Sequence, residues 1–64
     1  MEIPIDVQRA IVQQEIQMWQ NSRYQLEVRA RVTKRIGGDA APIVAELEKC
    51  EKALDALAEI LAEL

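Results

Sequence analysis

Between Val7 and Ile36, apolar residues recur at steps of three and four, with no Gly or Pro among them. That is the period of an amphipathic helix rather than the alternation of a strand. Two apolar stripes run along the segment. One holds Val12, Ile16, Trp19, Leu26 and Ala30, is interrupted by Arg23 and is extended by Ile5. The other holds Val7, Ile11, Met18, Val28, Val32 and Ile36 and passes through Gln14, Asn21 and Gln25. Both alternate steps of four and three, as coiled-coil seams do. Gln13, Gln17, Gln20, Tyr24, Glu27 and Arg31 fill the polar side. Glu15 lies on a narrow strip between the stripes, where a cation or amide of another helix is its expected partner. A helix with two seams calls for two neighbours.

A second periodic segment carries one clean seam: Ile43, Leu47, Cys50, Leu54, Leu57, Leu61 and Leu64. Val44, Ala53, Ala58 and Ile60 widen it. Its alanines favour helix and permit close approach of a neighbour.

Boundaries follow from local chemistry. Pro4 disfavours helix at Ile3, so residues 1–5 read as an extended lead-in. Asp6 is suited to cap a first helix over 6–36, whose last turn carries Lys34 and Arg35. Gly37 supplies the left-handed residue that ends a helix. The turn is 37–39, and the second helix is 40–64, with Asp39 as its cap and Pro42 in its first turn.

The predicted fold is therefore all-α: an antiparallel helical hairpin, coiled-coil-like, filling residues 1–64 as one domain. Its register sets Arg29 near Glu46 and Leu64 near Ile11. Two helices cannot cover three stripes, and a homodimeric four-helix bundle is the simplest closure. The expected oligomer interface is Val7, Ile11, Gln14, Met18, Trp19, Asn21, Gln25, Val28 and Val32. Trp19 doubles as the large anchor of the first stripe, and the three amides form a polar layer that fixes register.

Size strengthens the case for association. A 64-residue chain buries a modest core and commonly needs a disulfide, a metal or a partner. Cys50 is the only cysteine and His is absent, so neither a disulfide within the chain nor a zinc site is expected. No cofactor is expected either. No apolar run is long enough to span a membrane, and MEIPIDVQR lacks the features of a signal peptide. The expected compartment is the cytoplasm.

The net charge of −3 is unevenly spread. Residues 1–38 hold six cations against four acids, and residues 39–64 hold two lysines against seven acids. Oppositely charged arms suit a hairpin. The cations cluster as Arg23, Arg29, Arg31, Lys34 and Arg35. Of these, Arg31, Lys34 and Arg35 are the candidate contacts for an anion or nucleic acid, Lys34 and Arg35 lying beside the start of the second helix. Catalysis has poor material, since no base stands at a defined spacing from Ser22, Thr33 or Tyr24. The expected function is a non-enzymatic assembly or adaptor module acting through protein–protein contacts, with itself or another protein. The alternative is a small RNA- or DNA-binding bundle that uses the basic half of the first helix.

Overall fold

A computed structural model describes residues 2–64. Two helices, α1 (Ile5–Arg35) and α2 (Ala41–Glu63), pack against each other as a hairpin measuring 52 × 17 × 14 Å. No strand is present among the described residues. The 31 residues of α1 make a rod of about 46 Å.

The N-terminus of α1 departs from expectation. The helix begins at Ile5, and Pro4 rather than Asp6 is its cap residue. The Pro4 carbonyl accepts from the amides of Val7 and Gln8, each at 3.0 Å. Pro4 constrains the residue before it, not those after it, so the helix can start directly behind it. Asp6 sits within the first turn, where its charge favours the positive helix end without a capping bond. Gln8 Nε2 donates to the Ile3 carbonyl at 2.6 Å and ties the non-helical segment 2–4 back onto the helix. Met1 of the expected lead-in lies outside the described residues.

At the other end α1 stops one residue earlier than expected, and Ile36 is its cap. Gly37 takes φ 79°, the left-handed conformation expected of it. The Gly38 amide donates to the Thr33 carbonyl at 2.8 Å, and the Gly37 amide to that of Lys34 at 3.3 Å. This pair of bonds is a Schellman motif, which satisfies carbonyls that the helix would otherwise leave open. Across the turn, Asp39 Oδ1 accepts from the Ala41 amide at 3.0 Å. Asp39 thus serves the start of α2 from one position before the cap residue, Ala40. Pro42 lies in the first turn, where its missing N–H leaves no bond unmade.

The hairpin joins the first α1 stripe to the α2 seam. Val12, Ile16, Trp19, Leu26 and Ala30 are half-buried, as are Ile43, Leu47, Leu54, Leu57 and Leu61. Among the described residues only Ala40 and Cys50, at 9% and 3% exposure, are buried outright, and no large side chain is completely enclosed. The alternating polar and apolar pattern has thus produced a seam one layer deep.

Arg29 and Glu46 do not form an ion pair. The pairs among the described residues are local, Arg23 with Glu27 at 3.7 Å and Lys49 with Glu46 at 3.9 Å. Long exposed side chains lose less freedom to a neighbour on their own helix than to one across a seam. The hydrogen bond that does cross between helices joins Arg9 Nη2 to the Leu64 main-chain oxygen at 3.1 Å. Because α2 ends beside Arg9, Ile5 has no α2 residue to cover it and stays 48% exposed.

Candidate interaction surface

With the first stripe occupied by α2, the second α1 stripe is left open along its length. Val7, Ile11, Met18, Val28, Val32 and Ile36 are all exposed, from 40% at Val28 to 77% at Ile36. Gln14, Asn21 and Gln25, the amides that punctuate the stripe, are exposed too. Trp19 differs from the other expected interface residues. It is half-buried on the hairpin seam, so its ring is engaged mainly within the chain. The N-terminal half of the open stripe forms a shallow groove lined by Val7, Ala10, Ile11, Gln13, Gln14 and Gln17.

The extent of this exposure is unusual for the chain's mass. A compact monomer of 7.3 kDa exposes roughly 4,200 Å², and this chain exposes 5248 Å². Part of the excess belongs to the elongated shape, and part to the uncovered stripe. Scattered exposed apolar side chains need no explanation, but six in register along one helix do.

The candidate anion contacts are placed differently. Arg31, Lys34 and Arg35 are exposed, and none joins an ion pair among the described residues. Lys34 and Arg35 belong to the last turn of α1. The Ala41 amide at the start of α2 is already taken by Asp39, which brings a negative charge into the hairpin tip. Glu15 is exposed on its strip and has no ion-pair partner among the described residues.

Among the described residues no group of three or more Cys, Asp or Glu side chains is gathered as metal ligands would be. No described helix is long and apolar enough to cross a membrane. Sequence reasoning located the open stripe but passed over Ala10, whose small side chain lines its groove. Compared with known protein families, curated proteins and solved structures, the chain matches none.

Proposed function

We propose that the chain is a non-enzymatic assembly module that pairs with a second copy of itself into a four-helix bundle and works through protein–protein contacts. One observation carries this reading: an apolar stripe of α1, punctuated by three amides, stands open while α2 occupies the stripe beside it. Leaving the stripe in water forgoes about 25 cal/mol for each Å² of apolar surface, and a neighbour recovers it. The slender hairpin core makes that gain matter, since a domain this small has little stability in reserve.

Sedimentation of the native chain across concentrations tests the reading, alongside Val28→Lys. The native chain is expected to sediment as a dimer at micromolar concentration, and Val28→Lys to shift it toward monomer. A stable helical monomer of the native chain at those concentrations would sink the proposal.

A second reading has its own support, in the exposed cations Arg31, Lys34 and Arg35, which join no ion pair among the described residues. In it, the bundle holds RNA or DNA through its basic ends. Such binding should weaken steeply as salt rises, because each phosphate contact releases counterions. It should be lost on Arg31→Glu with Arg35→Glu. No gel shift with varied RNA and DNA at low salt would remove this reading and leave the first intact.

A further inference from the structure

We infer that the open α1 stripe is covered by the same stripe of a second copy running antiparallel, with a two-fold axis crossing the seam between Met18 and Asn21. This rests on the dimer reading above and specifies its geometry.

The order of residues along the stripe is the first argument. Val7, Gln14, Asn21 and Val28 are one set of seam positions, and Ile11, Met18, Gln25 and Val32 are the other. Reversing one helix exchanges the order of its four- and three-residue steps, so each layer joins a member of one set to a member of the other. In the stated register Val7 faces Val32 of the copy, Ile11 faces Val28, Gln14 faces Gln25 and Met18 faces Asn21. Apolar groups meet apolar groups at both ends, and the Gln amides meet each other, able to donate and accept in turn. The central layer does set the Asn21 amide against Met18, but sliding one helix by a heptad shortens the seam and loses the apolar layers at both of its ends. One direction sets Val32 against Gln14 and Val28 against Met18. The other sets Val7 against Gln25 and Ile11 against Asn21. Both bury an amide against an aliphatic side chain at the ends of the seam, which costs free energy.

Charge selects the orientation. Residues 2–19 carry Glu2, Asp6 and Glu15 against Arg9, while residues 20–38 carry five cations against Glu27. A parallel pair sets each of those cations level with its own counterpart. The antiparallel pair sets the cation-rich half beside the acid-leaning half and opposes the helix dipoles. Glu15 then lies on the same edge of the seam as Arg29 of the copy, about 7.5 Å further along the axis.

Area and shape agree. The part of the excess surface that belongs to the open stripe is available to the roughly 800 Å² that each partner contributes to a standard interface. Helix α2 offers no competing stripe. Its exposed large apolar residues are Val44 and Ile60, which fall on opposite flanks of its seam. The groove lined by Val7, Ala10, Ile11 and Gln14 is where Val28 and Val32 of the copy come to rest.

Disulfide trapping tests the orientation. In a Cys50→Ala background, Ile11→Cys and Val28→Cys are prepared separately, mixed and oxidised. The mixed disulfide between the two variants is expected to form at least about tenfold faster than either self-linked product, because seam positions must lie within bridging distance. Dominant self-linkage would overturn the antiparallel pairing and leave the dimer standing. A native chain that sediments as a helical monomer would overturn both. If the cysteine variants fail to fold, a charge pair decides. Gln14→Glu with Gln25→Lys should dimerise at least about tenfold more tightly than Gln14→Glu with Gln25→Glu, since only the antiparallel layer joins opposite charges. Equal affinities would overturn the inference.

Discussion

A Cβ added to Gly38 would lie 2.9 Å from Thr33 Cγ2, while the Gly38 amide already donates to the Thr33 carbonyl at 2.8 Å. The second glycine of the turn is thus held against the helix it terminates. Gly38→Ala should lose about 1–3 kcal/mol, the usual range for forcing a methyl into filled space. Thr33→Ser removes the offending methyl and should restore part of the loss. Urea unfolding of the two single variants and the double variant checks this, and strictly additive effects would contradict the contact.

Gly37 behaves differently, because nothing lies within 4 Å of its would-be Cβ. Its requirement is conformational, set by φ 79°. Gly37→Ala should cost about 1–2 kcal/mol, the left-handed penalty of an L-residue. Gly37→Asn should cost less, since Asn tolerates that region. The relevant measurement is the denaturation midpoint at unchanged helix content.

Asp39→Ala removes the acceptor of the Ala41 amide. The expected loss is about 0.5–2 kcal/mol, as for other helix-start side chains. Asp39→Asn keeps an oxygen in place and should retain most of the stability. Thermal melts of the pair separate the hydrogen bond from the charge.

The two α1 stripes should separate in mutagenesis. Leu26→Ala acts on the half-buried hairpin seam and should cost about 2 kcal/mol of folding stability, the low end for such a truncation. Met18→Ala, on the open stripe, should raise the dissociation constant of the assembly while leaving the hairpin's helicity unchanged. Circular dichroism and sedimentation on the same samples distinguish the effects.

Cys50, at 3% exposure, should react slowly with a thiol reagent until the hairpin opens. If folding is linked to pairing, raising protein concentration should slow the reaction further. A rate independent of concentration would uncouple the two.

Helix extents were readable because 30 residues without Gly or Pro and a three–four rhythm leave little else for Val7 to Ile36 to do, and the left-handed role of Gly37 follows from its place after them. The start of α1 was not, because Pro4 and Asp6 both suit a helix entrance and only the backbone path selects between them. Nor was the need for glycine at position 38, which depends on a contact with Thr33 that exists only once the Schellman motif has formed. The ion pairs Arg23 with Glu27 and Lys49 with Glu46 follow helix spacing, which fixes local partners, whereas a cross-helix pair between Arg29 and Glu46 depends on small shifts in register. The open stripe could be foreseen as a second seam, but which seam α2 would occupy could not be counted off spacing alone. The half-burial of Trp19 and the exposure of Met18 supply that answer.

The burial of Cys50 also bears on permanence. The chain's one thiol is buried within its own hairpin. Oxidation of the folded protein therefore offers no covalent latch between molecules. If the hairpins pair as proposed, that pairing is reversible, and dilution dissolves it.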